Sequence, residues 1–155
     1  MNSAIERLLA LRVRDIMNER IVTVSESDSM TSAAKRLFDH DVTGAPVVDA
    51  VGKCVGILSA SDFVGRDADQ HPTAVLVRTN PDEPYQVESL NDNLVKSHMS
   101  PLVQTIGASA TVIDAARIMC HEHIHRLVVA DAAQKPVGIV STLDILAAMV
   151  AAVEE

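Results

Sequence analysis

The chain has 155 residues, of which 48% are hydrophobic and 2% aromatic, and its formal net charge is −8 at pH 7. A chain of this length buries roughly 70% of its unfolded surface, which allows one domain or two small modules around an aliphatic core. The acidic balance argues against a general nucleic-acid binder, because phosphate contacts need a basic face. With no apolar run of transmembrane length and no signal-peptide pattern, we expect a cytoplasmic protein without a membrane partner.

In chain order, the first predicted element is an amphipathic helix over SAIERLLALRVRDIM, and residues 1–12 form a leader before the repeats. IVTV (21–24) predicts a short strand, and SMTSAAKRLFDHD (29–41) predicts a helix with Ser29 as its N-cap. The strands APVVDA and CVGIL follow, joined by a turn whose Asp49 and Gly52 favour a hairpin. SDFVGRDADQ predicts a short closing helix. Residues 65–94 hold three of the six prolines and predict a surface insertion, in which TAVLV is a candidate strand.

The same order of elements returns in the second half of the chain. Residues 13–63 align with residues 95–145 without a gap, which indicates an internal duplication. The pattern of the first copy is repeated by five segments: LVQTI (102–106), TVIDAARIMCHEH (111–123, with Thr111 as N-cap), RLVVAD, PVGIV and LDILAAMVAAVEE (143–155). Each copy predicts β-α-β-β-α, an α+β fold of two modules (13–64 and 95–155) that close on one another. The predicted core faces of the two main helices are Met30, Ala33, Ala34 and Leu37, and Val112, Ala115, Ala116 and Met119.

A Ser-x-x-Asp box follows the last strand of each copy, as Ser59 and Asp62 and again as Ser141 and Asp144. One interpretation is a helix N-cap with an acidic first turn. The other is a nucleotide site, since a hydroxyl beside a carboxylate matches the cis-diol of ribose and a helix N-terminus offers donors to phosphate. A glycine stands three residues before each serine, and we interpreted it as a place where a ligand approaches the backbone.

These segments resemble a known family. VGILSASDFV and VGIVSTLDIL, with GAPVVD and HRLVVAD before them, are similar to the CBS (cystathionine β-synthase) domain over nearly the whole chain except the leader and the insertion. The resemblance implies a Bateman module, a tandem CBS pair whose repeats are related by a pseudo-twofold axis. It further implies a non-catalytic, energy-sensing regulatory module that binds AMP, ADP, ATP or S-adenosylmethionine as effector in clefts between the repeats, with no cofactor.

The resemblance also implies site residues. Ser59 and Asp62 would contact ribose in one cleft, and Ser141 and Asp144 in the other. The apolar adenine walls would be formed by Val22, Val42, Thr43 and Ile139 in one cleft and by Gln104, Ile124 and Ile57 in the other.

The pair His125-Arg126 resembles the phosphate-contacting pair in the γ subunit of AMP-activated protein kinase. Arginine suits forked phosphate recognition. We expect the pair in the cleft of Ser59 and Asp62, with a central location or a merely exposed strand start as alternatives. The first copy has Thr43 and Gly44 at these positions, so we expect unequal clefts.

Other chemistry has weaker support in the sequence. His121, His123 and His125 lack a further ligand, and we expect no metal site. Cys54 and Cys120 are interpreted as free, mostly buried thiols rather than nucleophiles. The apolar closing helix predicts a homodimer, and an effector protein not identified by the sequence would receive the signal. The alternative function is a ligand-free dimerisation module with decayed clefts.

Overall fold

The computed structural model describes residues 3–63, 75–77, 80–84, 86–88, 94–101 and 104–154. These residues form two compact units. The terminal unit contains the described residues up to Ile21 and those from Gln104 onward, and the central unit contains those from Val22 to Pro101. The units therefore do not coincide with the two sequence repeats, because residues 13–21 pack with the second repeat and residues 95–101 with the first.

The described elements are helices and short strands. The helices are α1 (Ser3–Ala10), α2 (Val13–Ile16), α3 (Met30–Asp39), α4 (Val95–His98), α5 (Val112–Glu122) and α6 (Thr142–Glu154). The strands are β1 (Val24–Ser25), β2 (Gly44–Val48), β3 (Cys54–Ser59), β4 (Val75–Val77), β5 (Gln86–Glu88), β6 (Ser100–Pro101), β7 (Thr105–Ile106), β8 (Arg126–Ala130) and β9 (Pro136–Ser141). A 3₁₀ turn, Ala60–Phe63, follows β3.

The central unit is built on a four-stranded sheet in the order β1-β2-β3-β6, with β1 parallel to β2 and the other pairs antiparallel. Helix α3 packs its predicted face, Met30, Ala33, Ala34 and Leu37, into the core of this unit. The N-cap prediction is confirmed, since Ser29 Oγ accepts a hydrogen bond from Ser32 N at 3.0 Å. Strands β4 and β5 form a separate antiparallel ribbon.

The predicted hairpin between β2 and β3 is confirmed. Asp49 Oδ1 accepts hydrogen bonds from the backbone N–H groups of Val51 and Lys53, each at 3.0 Å. Gly52 has a φ of 84°, a left-handed value that glycine adopts without a steric penalty. In the second copy Asp131 makes the same bonds to Ala133 and Lys135, so one turn chemistry serves both copies.

The terminal unit has a three-stranded sheet in the order β7-β8-β9, with β7 parallel to β8 and β8 antiparallel to β9. Val112, Ala115 and Met119 of α5 are buried, whereas Ala116 is only half-buried. Thr111 caps α5, with its hydroxyl oxygen 3.0 Å from Asp114 N. Helix α1 packs against α6, and Arg7 donates to the carbonyl of Ala152 at 2.7 Å, which satisfies a carbonyl in the last turn of α6.

Several elements differ from the predictions. The single leading helix is wrong: α1 ends at Ala10 and α2 begins at Val13, because Val13 N bonds to Ala110 O at 2.8 Å and Arg12 bridges to Thr111. The first strand of the central unit is Val24–Ser25 and does not include residues 21–23 of IVTV. Of LVQTI, Thr105–Ile106 form a strand, and residues 102–103 lie outside the described residues.

The closing segment of the first copy begins as a 3₁₀ turn, and the rest of SDFVGRDADQ lies outside the described residues. TAVLV contributes the strand Val75–Val77, and its first two residues lie outside the described residues as well. Within the described ranges, no helix has the length and apolarity needed to cross a membrane.

Candidate ligand-binding site

In the central unit the two polar residues of the Ser-x-x-Asp box are hydrogen-bonded to one another. The carboxylate oxygen Oδ2 of Asp62 accepts from Ser59 N at 2.7 Å and from Ser59 Oγ at 3.2 Å. Ser59 Oγ also lies 2.8 Å from Ser61 Oγ. Asp62 is 8% exposed, and the next residue, Phe63, belongs to the core. The side chains of Ser59, at the end of β3, and Asp62, in the 3₁₀ turn that follows, are therefore bonded to one another.

In the terminal unit the same residues form a reciprocal capping box at the start of α6. Ser141 N donates to Asp144 Oδ2 at 2.8 Å, and Asp144 N donates to Ser141 Oγ at 3.2 Å. The N-cap interpretation of this box is thereby confirmed. Within the part of the chain that the structure describes, the Ser141 hydroxyl hydrogen and Asp144 Oδ1 have no partner. Both side chains are half-buried, so one donor and one acceptor stand side by side at the end of β9.

Each box lies on the sheet face that points away from the core of its unit. Leu58 and Val140 lie in the two cores, so their neighbours along the strand point to the opposite face. That opposite face carries Ile57 with Ser59 on β3, and Ile139 with Ser141 on β9. The sequence-predicted wall residues Ile57 and Ile139 are both half-buried there.

The residues before β2 and β8 are held close to these boxes by backbone bonds. Ala60 N donates to Thr43 O at 2.9 Å in the central unit, and Thr142 N donates to His125 O at 3.0 Å in the terminal unit. Across the paired strands, Arg126 is in register with Ser141, whereas Gly44 is in register with Ser59. An exposed guanidinium therefore borders one box, and a glycine without a side chain borders the other.

The structure divides the sequence-predicted site residues between the units. The central unit holds Val22, Val42, Thr43, Ile57, Ser59 and Asp62, and the terminal unit holds Gln104, Ile124, His125, Arg126, Ile139, Ser141 and Asp144. Val22 is buried and Val42 packs on the central core, whereas Gln104 is exposed beside β7. The assignments that combine residues of both units, including His125-Arg126 with Ser59 and Asp62, remain predictions.

The glycine three residues before each serine serves protein packing, which the sequence reasoning missed. A Cβ at Gly56 would lie 2.6 Å from Met99 Sδ and 2.7 Å from Ser100 O. A Cβ at Gly138 would lie 2.8 Å from Met17 Sδ. The close approach that we had assigned to a ligand is thus made by the protein itself. The duplication contained a usable signal, since Met17 and Met99 are identical residues at aligned positions, as are the two glycines.

Both cysteines are free thiols as predicted, but the expectation that they are mostly buried holds for Cys54 and not for Cys120. Cys54 is buried, and burial raises the pKa of its thiol, although a hydrogen bond with the backbone of Gly56 acts in the opposite direction. A raised pKa keeps the thiol protonated and unreactive. Cys120 is exposed on the outer side of α5. In the described ranges no three His, Cys, Asp or Glu side chains are grouped to hold a metal ion.

The comparison with known families agrees with this geometry. The model of the CBS domain matches residues 13–69 and 95–151, which together are well over half of the chain. The chain therefore belongs to the CBS-domain family, and its two repeats form a tandem pair of mixed α and β content.

Individual relatives are moderately similar. The uncharacterized protein MJ1426 of Methanocaldococcus jannaschii is 29% identical over 154 residues, which cover 89% of this chain and 90% of that protein. The chain spans only 44% of the length of MJ0188 from the same organism, to which it is 28% identical.

Two solved structures share the fold. The CBS domain of a CBS domain containing membrane protein from Sphaerobacter thermophilus has a TM-score of 0.72 and 27% identity, with 93% of this chain and 91% of that chain covered. The CBS domain pair of protein MJ0100, solved in complex with 5′-methylthioadenosine and S-adenosyl-L-methionine, has a TM-score of 0.66 and 26% identity, with 88% and 97% covered.

Proposed function

We propose that this chain is a non-catalytic regulatory module that binds an adenine nucleotide or a related adenosyl ligand. The observation that carries the proposal is the terminal-unit box, where the Ser141 hydroxyl hydrogen and Asp144 Oδ1 have no partner among the described residues. Membership of the CBS-domain family supports it, as does the similarity to the MJ0100 pair, which was solved with two adenosyl compounds.

The chemistry of the box suits a ribose diol. Two adjacent hydroxyl groups can donate one hydrogen bond to Asp144 Oδ1 and accept one from Ser141, and bonds to a charged partner are stronger than neutral ones. Ile139, which shares the sheet face of Ser141, would contact the base. The predicted place of Arg126 is the cleft of Ser59 and Asp62, with a central location as the alternative, and its register opposite Ser141 favours a position from which it also reaches the charged groups of a ligand at this box. The central-unit residues Ser59 and Asp62, with Ile57, would contact the ribose of a ligand in the other cleft.

The remaining predicted residues complete the proposed sites. Val22, Val42, Thr43, Gln104 and Ile124 would contact the adenine rings, as the family resemblance implies. His125, next to Arg126 at the start of β8, would contact the phosphate groups of the ligand, as the family resemblance implies.

We propose that the module signals by population shift. A ligand that binds one arrangement of the protein more tightly than another changes their ratio by its difference in affinity. The signal would pass to an effector protein or through a second copy of this chain, in the cytoplasm.

Helix α6 supports the proposed homodimer. Its outer side exposes Leu143 (73%), Leu146 (55%), Val150 (55%) and Val153 (75%), while Ile145 and Ala148 fill the core on its inner side. A helix with apolar side chains all round is usually buried on every side, and we propose that a second copy of the chain covers the outer side of α6.

Thermal unfolding with a panel of ligands tests the binding proposal. AMP, ADP, ATP, S-adenosylmethionine and 5′-methylthioadenosine are compared at millimolar concentration with guanosine monophosphate as the control. A ligand at a hundredfold excess over its Kd stabilises by about 2.7 kcal/mol, which raises Tm by several degrees for a domain of this size. No shift with any adenosyl compound would favour the alternative function, a ligand-free dimerisation module whose sites have decayed.

Two further measurements complete the test. The first measurement follows the nucleotide by chromatography during prolonged incubation with the protein. A non-catalytic module should leave the nucleotide unchanged, and turnover would contradict the non-catalytic role. Sedimentation velocity at micromolar concentration is expected to show a dimer that Val150→Glu converts to a monomer. Val51→Glu, a matched change at an exposed turn of the central unit, should leave the dimer intact.

A further inference from the structure

The two glycines of the repeat lie against segments that connect the units. Residues 17–18, the first connector, run beside β9, and residues 99–101, the second connector, run beside β3. An added Cβ at Gly138 would stand 2.8 Å from Met17 Sδ and 3.1 Å from Asn18 O. An added Cβ at Gly56 would stand 2.6 Å from Met99 Sδ and 2.7 Å from Ser100 O. Only a residue without a side chain permits both approaches.

Backbone pairing holds the first connector on β9. Asn18 N donates to Ile139 O at 2.8 Å, and Ile139 N donates to Asn18 O at 3.0 Å. Met17 lies against the terminal core, which fixes the side chain that faces Gly138. Three residues after Asn18, the chain leaves the terminal unit at Ile21.

The second connector repeats this arrangement in the central unit. Ser100 and Pro101 pair with Ile57 and Gly56 of β3. Met99 packs on the central core, as Met17 does on the terminal core. Pro101 is the last described residue before the chain returns to the terminal unit at Gln104.

We propose that Gly138 and Gly56 are positioning residues that dock the connectors onto the strands that carry the proposed ligand sites. The residues that bond the connectors, Ile139 and Ile57, stand two positions before Ser141 and Ser59 on the same strands. A ligand on these strands binds the conformation in which the connector is paired with the strand. The ligand therefore stabilises this pairing, and a variant that disrupts the pairing weakens ligand binding. This inference rests on the proposed function, because it assigns the ligand to these strands.

The decisive variant is Gly138→Ala in the full chain, with Gly107→Ala as its matched control. An added Cβ at Gly107 meets no atom within 4 Å, so the same chemical change is made without a clash. Gly138→Ala should speed amide hydrogen exchange at Asn18 and Ile139 by roughly 10- to 100-fold and weaken S-adenosylmethionine binding by a similar factor. Gly107→Ala should change neither quantity. The exchange is read residue by residue by NMR, and the affinity by titration calorimetry.

A double-mutant cycle tests which atoms the added Cβ displaces. In a Met17→Ala background, Gly138→Ala should add little further change, because the remaining contact, Asn18 O at 3.1 Å, needs a shift of only a few tenths of an ångström. In a Met99→Ala background, Gly56→Ala should still speed exchange at Ile57, because Ser100 O is a backbone atom at 2.7 Å. The two backgrounds identify the atoms that displace each connector, and the affinity for S-adenosylmethionine separates a positioning role from a merely structural one.

Each outcome decides one point. Unchanged exchange at Asn18 and Ile139 in Gly138→Ala, or equal acceleration at all core amides, would overturn the positioning role. Faster local exchange with wild-type affinity for S-adenosylmethionine would also overturn it, while leaving the proposed function intact. A wild-type chain that binds none of the adenosyl compounds would contradict the proposed function instead, and exchange in the variants would then decide whether the glycines dock the connectors.

Discussion

The terminal and central units contain the same Ser-x-x-Asp box in different surroundings. Asp144 stands in the first turn of a 13-residue helix and is half-buried, whereas Asp62 stands in a four-residue 3₁₀ turn and is 8% exposed. Asp144 Oδ2 accepts from a single backbone N–H, while Asp62 Oδ2 accepts from both the backbone and the hydroxyl of Ser59. The element that follows a duplicated motif therefore changes what its side chains are available to do.

The difference separates a ligand contact from a structural contact. A hydroxyl hydrogen without a partner among the described residues and a half-buried carboxylate can bind a diol without first breaking any bond that the structure describes. A buried carboxylate that already accepts two bonds contributes to stability, and removing it leaves the Ser59 N–H without a partner. Ligand affinity should therefore depend mainly on the terminal box, and stability mainly on the central one.

The largest expected difference between the units is the reactivity of their cysteines. Cys120 should react with a thiol reagent at the rate of a free thiol, while Cys54, 3% exposed and with a raised pKa, should react only through unfolding. If unfolding costs about 5 kcal/mol or more, the rates differ by at least about a thousandfold. Stopped-flow labelling measures both phases, and Cys120→Ser should remove the fast one. A fast phase that remains in that variant would contradict the burial of Cys54.

Asp144→Ala should weaken binding of the adenosyl ligand by about 1.5–3 kcal/mol, or roughly 10- to 150-fold, because a charged hydrogen-bond partner of the diol is lost. The free energy of unfolding should fall by only about 1 kcal/mol, since the residue also caps α6. Titration calorimetry and urea unfolding of one preparation give both values. A loss of stability with unchanged affinity would reduce Asp144 to a cap.

Asp62→Ala should show the opposite balance. The free energy of unfolding is expected to fall by about 1–3 kcal/mol, because a buried carboxylate is removed and the Ser59 N–H loses its acceptor. The affinity should change less than in Asp144→Ala. Urea unfolding followed by circular dichroism measures the first quantity. If Asp62→Ala is as stable as the wild type and binds more weakly than Asp144→Ala, the contrast between the boxes is reversed.

The smallest expected effect concerns the helix caps and depends on pH. The side chain and then the backbone N–H of Thr111 lower the pKa of Asp114 at the start of α5, whereas the corresponding position in α3 is Ser32. A lowered pKa stabilises the fold above the unfolded pKa of about 3.9, and this contribution is lost as the pH falls through the folded value.

The wild type should therefore exceed Asp114→Asn in stability at pH 6 and lose part of that advantage by pH 3. Urea unfolding at the two pH values measures the difference. Ser32→Ala in α3 serves as the control, because its effect should not change with pH. An advantage of the wild type that is the same at both pH values would contradict the proposed origin of the shift.

Much of the local structure could be predicted because it depends on neighbours along the chain. Ser29 and Thr111 cap their helices as the spacing predicted, because an N-cap hydroxyl needs only a backbone N–H three residues later. The Asp49 turn likewise depends on bonds within four residues. The boxes themselves were found from the repeat, and their capping geometry followed from the same local rule.

Contacts between distant segments could not be predicted in this way. The leading helix breaks between Ala10 and Val13 because Val13 bonds to Ala110, a residue far along the chain. Periodicity continues through this break, so the sequence offers no local sign of it. The exposure of Cys120 has a different reason: free cysteines are usually buried, but Cys120 lies outside the predicted core face of α5, which Val112, Ala115 and Met119 form.

The sequence by itself determined the duplication, the family, the order of elements and the positions of the two boxes, because each of these depends on residue identity at short or repeated spacing. Tertiary structure alone decided that residues 13–21 pack with the second repeat, that Gly56 and Gly138 accommodate Met99 and Met17, and that the two boxes differ in their free hydrogen-bonding groups. The physical reason is that packing and hydrogen-bond satisfaction depend on which segments meet in space, and identical residues meet different neighbours in the two units.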